Sequence, residues 1–485
     1  FGFDVWGEDK GDNAQIAIID PEESTTKMLA GLGYESHGWT GEAAALVVVG
    51  RNAFKQDATL AARLEPYVRA GGRALICAQD PEWLKGALKW RVCPKVSRRV
   101  FPVYSATAGM ALQRVDSEDL RDWTGNSSLI EAYPKYVGDY LRGNEREQPY
   151  AGWHWGNRGG VSSAAIEKPH RSGWRPLLEC EFDLAYTPLM ELDYGRGRVI
   201  MCTLDLEDHA TVDPAARRMA GDVLKYALHS PLAARASKVT YVGGATGAAW
   251  LDKIGVDYES SSRLDAHAEL VIIGDEAQFD EKALRTYLEN GGKAFFLPRA
   301  QADGWLGVKL KPTSTNFAGS VSVPVWPEAR GLSASDLRWR CYLDHPFWIL
   351  SGGAETGADG LIGRRTVGKG VAIFCQVDPD CFHADEKTYF RYTRWRTTRA
   401  VAQLLANLGA SFSVDNGIFH PLDPLKPRPW AADDDRPGPQ ATGPKISQPV
   451  SPAGPQDGSQ ISAYYYPDYR ADFPMGDNPY RYYRW

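Results

Sequence analysis

The sequence contains no apolar run of about 18 residues, the length a helix needs to cross a bilayer, so no segment reads as a membrane span. Basic residues are not in excess. Lys and Arg number 55 against 61 Asp and Glu, a formal charge of −6, so the electrostatic footprint of a nucleic-acid-binding protein is missing. Cysteine is sparse: the seven Cys are scattered with no Cys-x-x-Cys pair, which argues against a zinc ribbon. Cys77, Cys202 and Cys375 lie inside strand-like runs and read as small core residues. An initiator Met and a signal-peptide pattern are lacking too. The chain opens in the aromatic phrase Phe1-Gly-Phe-Asp-Val-Trp6, as a processed protein or the C-terminal piece of a longer polypeptide would.

Aromatic residues, in contrast, are plentiful, with 16 Trp and 23 Tyr. Large planar faces suit sugars, peptides or an extensive protein interface. The apolar content of 43% is ordinary for a globular protein, and 485 residues allow two to four domains.

The chain also repeats itself. Ala45-Leu-Val-Val-Val-Gly50 is followed by a helical stretch, Gly71-Gly72 and the apolar run Arg73-Ala-Leu-Ile-Cys-Ala78. Glu269-Leu-Val-Ile-Ile-Gly274 is followed by a helical stretch, Gly291-Gly292 and Lys293-Ala-Phe-Phe-Leu297. Both copies continue to Trp-Leu (Trp83, Trp305), to Asp-Leu-Arg (Asp119, Asp336), and to Gly-x-Gly, an apolar run, a Cys and an Asp. The last set reads Gly195, Gly197, Cys202, Asp205 in one copy and Gly368, Gly370, Cys375, Asp378 in the other, with identical spacing. Such ordered self-similarity marks a duplicated domain. It also provides an internal control, because features shared by both copies serve the fold and features of one copy are better candidates for function. Asp119 to Cys202 spans 83 positions and Asp336 to Cys375 spans 39, so the first copy carries roughly 44 extra residues, rich in Trp, Tyr, His and Arg.

Continuous apolar runs alternating with helical periodicity predict parallel strands covered on both faces. The expected class is α/β: two tandem doubly wound, flavodoxin-like domains over 1–233 and 234–416, the first carrying a Trp-rich insertion at about 133–178. Helices are expected over 25–32, over 58–69 with Asp57 as its cap, over 214–228 and around 397–408. Residues 417–462 are rich in Pro, Gly, Asp and Gln and read as an extended linker. The aromatic C-terminal arm, 463–485, carries Tyr464, Tyr465, Tyr466, Tyr469, Arg470, Tyr480, Tyr482, Tyr483 and Trp485. Such residues are poorly suited to a free solvated end, so the arm should dock, or line a neighbour's cleft.

Several candidate chemistries are weak. The Gly-x-Gly pairs precede strands and lack the helix N-terminus that binds phosphate, whereas Gly243-Gly-Ala-Thr-Gly247 follows a strand and opens a helix, a nucleotide loop or a tight turn. Asp205 and Asp378 follow a strand where α/β sheets place ligands, but their recurrence favours a capping role. Glu207, Asp208 and His209 beside Asp205 are adjacent on one loop, a poor arrangement for converging on a metal. No metal and no cofactor is expected. The unique passage offers Trp153, His154, Trp155, Asn157, Arg158, Glu167, His170 and Trp174, which could stack on and hydrogen-bond a sugar or form a protein interface.

The phrases Trp155-Gly-Asn-Arg-Gly, Glu167-Lys-Pro-His170, Pro188-Leu-Met-Glu191 and Tyr194-Gly-Arg-Gly-Arg-Val-Ile200, with the closing Asn478-Pro-Tyr-Arg-Tyr-Tyr-Arg-Trp485, resemble the C-terminal region of large bacterial family 2, β-galactosidase-like glycoside hydrolases. In these proteins domains like class I glutamine amidotransferases follow the catalytic barrel. Amidotransferases place their nucleophile in a Gly-x-Cys-x-Gly elbow, and none of the Cys here has that context. The resemblance implies a non-catalytic assembly or support region of a carbohydrate-degrading enzyme, with aromatic residues that could reach the substrate cleft. The catalytic glutamates would lie on a barrel elsewhere on the polypeptide or on a partner chain. It further implies a carbohydrate ligand, a homo-oligomer and a periplasmic or secreted location. The alternatives are a free-standing carbohydrate-binding or subunit-assembly protein, and a hydrolase with its own site near Trp153–His170.

Overall fold

The computed structural model describes residues 14–88, 92–93, 97, 99–104, 117–129, 160–181, 184–233, 235–278, 280–299, 305–313, 322–339, 343, 347–382 and 390–420. The chain is mixed α/β with parallel-rich sheets and divides into two compact units.

The first unit contains β1 (Ile16–Ile19), β2 (Ser36–Gly38), β3 (Leu46–Val49), β4 (Arg73–Ile76), β5 (Val92–Cys93), β6 (Val100–Pro102), β7 (Ala165–Glu167), β8 (Arg175–Pro176), β9 (Leu178–Cys180), β10 (Tyr186–Thr187), β11 (Leu189–Tyr194) and β12 (Gly197–Cys202). Its main sheet runs β2-β1-β3-β4-β12-β11-β8. The pairs from β2 to β12 are parallel, and β11 and β8 extend the sheet antiparallel. Strand β3 is buried throughout because helices such as Ser24–Gly31 and Leu60–Arg69 flank the sheet, and this explains the unbroken Leu-Val-Val-Val. A second, five-stranded antiparallel sheet, β5-β7-β10-β9-β6, is built partly from the passage the second copy lacks. The 3-10 turn Asp415–Ile418 belongs to this unit and seats Ile418 and Phe419 in its core.

The second unit contains β13 (Val239–Val242), β14 (Glu259–Ser261), β15 (Leu270–Ile273), β16 (Lys293–Phe296), β17 (Lys309–Thr313), β18 (Phe347–Gly352), β19 (Glu355–Gly357), β20 (Ile362–Val367) and β21 (Gly370–Cys375). Its main sheet, β14-β13-β15-β16-β21-β20-β19, repeats the order and the parallel-to-antiparallel change of the first. Strands β17 and β18 form a separate antiparallel pair. Two apolar clusters, one with Phe295 and Ile373 and the other with Phe296 and Phe374, contain side chains that alternate along the strands.

The recurring landmarks now have physical causes. The first glycine of each Gly-x-Gly takes φ +58 in the β-hairpin turn, and a Cβ on the second would lie 2.2 Å from the Gly72 carbonyl or 2.3 Å from that of Gly292. The second glycine of each Gly-Gly faces a tyrosine ring. A Cβ on Gly72 would sit 2.4 Å from Tyr67, and one on Gly292 would sit 2.3 Å from Tyr287. Both hydroxyls donate to the strand that follows, Tyr67 to the Arg73 carbonyl and Tyr287 to that of Lys293. Each Asp-Leu-Arg aspartate pairs with an arginine on the unit's last long helix: Asp119 with Arg218 of Pro214–His229, and Asp336 with Arg399 of Phe390–Leu408.

Two helices differ from the periodicity. The one expected over 58–69 begins at Leu60, because the Asp57 carboxylate binds the Thr59 amide and hydroxyl in a local turn. The one expected around 397–408 begins at Phe390, which is buried together with Trp395. The linker 417–462 falls outside the described residues apart from its first four positions, 417–420, and the arm 463–485 does so entirely. Among the described residues, no helix is long and apolar enough to cross a membrane.

Candidate functional site at the carboxyl ends of the first sheet

An α/β sheet offers ligands the carboxyl ends of its parallel strands. In the first unit, Asp20 follows β1, Gly50-Arg51 follows β3, and Asp205 lies three residues past the end of β12. The Arg51 guanidinium is at the centre, 2% exposed. Its Nη2 donates to Asp205 Oδ1 at 2.8 Å and lies 3.2 Å from Asp208 Oδ2 and 3.7 Å from Glu207 Oε2. Its Nη1 donates to Ser128 Oγ at 2.8 Å and Asp208 Oδ1 at 3.3 Å. Thr25 Oγ1 donates to Glu207 Oε1 at 3.0 Å and accepts from the Arg51 amide at 3.3 Å.

Burial and charge set the protonation states. Burial works against the Arg51 charge, and Glu207, Asp205 and Asp208 more than restore it. Burial pushes the Glu207 carboxyl up, with Arg51 only partly opposing. For Asp208, burial is outweighed by the Ser128 amide and by Arg51, and its carboxyl is held down. His209 is fully buried. Its Nδ1 lies 2.8 Å from the Thr124 carbonyl and its Nε2 lies 3.3 Å from Asp205 Oδ2, a charge contact without hydrogen-bond geometry. Both ring nitrogens thus face acceptors, and only the imidazolium presents an N–H to each. Burial alone would lower its pKa; Asp205 and the Thr124 carbonyl raise it.

The second unit shows what is particular to this cluster. Counting from Gly50 and Gly274, Arg51 corresponds to Asp275; counting from Cys202 and Cys375, Glu207 corresponds to Asp380 and His209 to Phe382. Asp378 caps the 3-10 turn Pro379–Cys381 through the Asp380 amide, the role its recurrence suggested. Asp205 makes no cap bond to its own turn, Leu206–His209, and pairs with Arg51 instead. Trp339 packs edge-on against Phe382 at 4.9 Å, and Trp123 lies 5.9 Å from His209. A hydrophobic contact in one unit is therefore a charged network in the other.

The remaining candidates are dispersed. Glu167 ends β7, and Trp174 is buried at 1% in the core of the first unit with Trp39 and Met190. His170 lies in Pro169–Gly173, which belongs to the second unit, and stacks on Trp395 at 5.5 Å. Trp153, His154, Trp155, Asn157 and Arg158 lie outside the described residues. The glycines of 243–247 surround Tyr241: a Cβ on Gly243 or Gly247 would meet its hydroxyl at 2.4 or 2.2 Å, and one on Gly244 would meet Glu276 Oε2 at 1.8 Å. These glycines are therefore explained by close packing against Tyr241 and Glu276, the tight-turn reading. Cys77 and Cys202 are buried with thiols pushed well up, and burial pushes Cys375 up to about 12. Among the described residues, no group of three His, Cys, Asp or Glu side chains is arranged to hold a metal ion.

Sequence reasoning passed over Arg51, Thr25 and Ser128. Aligning the two copies at Gly50 and Gly274 places Arg51 opposite Asp275, and this charge reversal could have exposed the cluster. No family model and no curated protein matches this sequence.

Proposed function

We propose that this chain is a catalytically silent pair of doubly wound, flavodoxin-like units, similar to class I glutamine amidotransferase scaffolds, that supports assembly of a β-galactosidase-like glycoside hydrolase. The observation that carries the reading is that the chain's own side chains fill the carboxyl ends of both parallel sheets. Arg51 with its carboxylates does so in the first unit, and the buried Tyr241, packed against the glycines of 243–247, does so in the second. The buried, protonated thiols on β12 and β21 support it, because a nucleophilic cysteine has to ionise. The Trp-rich insertion and the arm 463–485 are then the parts that meet partner subunits or sugar, and the catalytic glutamates lie outside this sequence. The test is the intact mass of the native polypeptide, with its activity on aryl glycosides. A mass well above 53.6 kDa with glycosidase activity is expected. A native chain of 53.6 kDa that turns over glycosides alone would sink the proposal.

A further inference from the structure

We infer that His209 is a proton-operated latch: its imidazolium holds a strap, residues 117–129, across the carboxyl end of the first sheet, and loss of that proton as pH rises releases the strap. The inference is independent of the carbohydrate reading.

The start of the strap is anchored by the buried Leu120 and Trp123 and by the Val100 amide, which donates to the Leu120 carbonyl at 2.9 Å; from Thr124 to Ser128 it is held by charged groups. The Thr124 carbonyl accepts from His209 Nδ1 at 2.8 Å, and the Thr124 amide donates to Asp213 Oδ2 at 2.7 Å. The Ser128 amide and hydroxyl both donate to Asp208, the hydroxyl at 2.9 Å to Oδ2. Asp119 receives Arg218 at 3.3 Å on each carboxylate oxygen. At Gly125, with φ +118, an added Cβ would lie 3.1 Å from His209 Nδ1 and 2.9 Å from Val212, so the strap lies directly on the imidazole. In sequence it runs on into the Trp-rich passage that the second copy lacks.

His209 is faced from several elements. Asp205 approaches from the end of β12, Asp208 from its own turn, and the Thr124 carbonyl and Trp123 ring from the strap. Asp213, which caps the helix Pro214–His229, holds the other side of Thr124. Arg51 shares the Asp205 and Asp208 carboxylates, and Glu207 lies next to it. With the proton present, Nδ1 donates to the Thr124 carbonyl and the charged ring faces the Asp205 carboxylate at 3.3 Å. Without it, a lone pair faces either the Thr124 carbonyl, which loses its donor, or the Asp205 carboxylate, which loses its cationic partner and is set against a lone pair, and either outcome weakens the hold on Thr124. Because the surroundings raise the histidine's pKa, the latch is fully set below the ordinary histidine value and is lost as pH rises through the raised one. Phe382 at the matching position of the second unit has no proton to lose, so that unit is a built-in comparison.

Hydrogen exchange of the full chain between pH 6 and 9, corrected for intrinsic rates, tests this alongside a ¹³C-histidine NMR titration. Protection of the 117–129 amides should fall at least about tenfold, with the midpoint of the His209 resonance, while β13 to β16 stay protected. In His209→Phe, a ring that the second unit accommodates beside a tryptophan, the pH dependence should vanish. Strap protection that does not change with pH, or that keeps its pH dependence in His209→Phe, overturns the latch. If that variant fails to fold, the wild-type midpoints decide. A shared midpoint supports the latch, and a His209 midpoint at or below about 6.5, or separate midpoints, refutes it.

Discussion

Arg51→Met is the sharpest perturbation of the charged cluster, since it keeps an unbranched side chain and removes only the guanidinium. Asp205 Oδ1 then loses its 2.8 Å donor and keeps His209 at 3.3 Å as its remaining charge partner on the other oxygen. Asp208 retains Ser128, and Glu207 retains the Thr25 hydroxyl at 3.0 Å. Removing one partner of a buried ion pair costs about 3–5 kcal/mol, a large part of the roughly 5–15 kcal/mol that holds a typical domain folded. The loss should fall on the first unit, so it is best read by urea titration with hydrogen exchange resolved by peptide. Its pH dependence has a definite sign. Without Arg51 the facing carboxylates bind protons more readily in the folded state than in the unfolded one, so the deficit should shrink as pH falls from 7 to 5. A pKa rise of one unit corresponds to about 1.4 kcal/mol of that recovery. Asp275→Asn, at the matching but exposed position, should change stability by no more than about 0.5 kcal/mol. A deficit below about 1 kcal/mol at pH 7 for Arg51→Met, or one that grows on acidification, would refute the reasoning.

The two Asp-Leu-Arg pairs should respond unequally. Asp336→Asn breaks a pair whose side chains are 1% and 3% exposed and should cost about 3–5 kcal/mol. Asp119→Asn, with its pair 24% and 10% exposed, should cost about 1 kcal/mol or less, and urea titration of each variant gives the comparison. Gly72→Ala and Gly292→Ala should each lower stability by about 1–3 kcal/mol, because the new methyl overlaps the Tyr67 or Tyr287 ring. Thermal melts showing either variant as stable as wild type would contradict the reading of the Gly-Gly landmark.

Much of the architecture is legible in the order of residues. The unbroken apolar runs at Leu46–Val49 and Leu270–Ile273 are fully buried parallel strands, as their lack of alternation predicts. The identical spacing from Gly195 to Asp205 and from Gly368 to Asp378 corresponds to a hairpin and strand of one geometry in both units. The Asp57 turn and the early start at Phe390 were less legible, because local side-chain bonds and tertiary burial override periodicity there.

The candidate cluster was only half visible. Asp205, Glu207, Asp208 and His209 are neighbours in sequence and stood out as an acidic run. Arg51 is 154 residues from Asp205, and nothing local signals that it neutralises the run. The sequence by itself determined the duplication, the strand pattern and the glycines that tight packing requires, because these follow from short-range sterics and from which residues leave water. Tertiary structure alone decided that the Asp378 copy became a cap while the Asp205 copy became an ion pair. It also decided that Trp174 is core and that Tyr241 fills the glycine loop. Those outcomes depend on which distant side chain reaches a buried charge or fills a space, and chain order does not encode that distance.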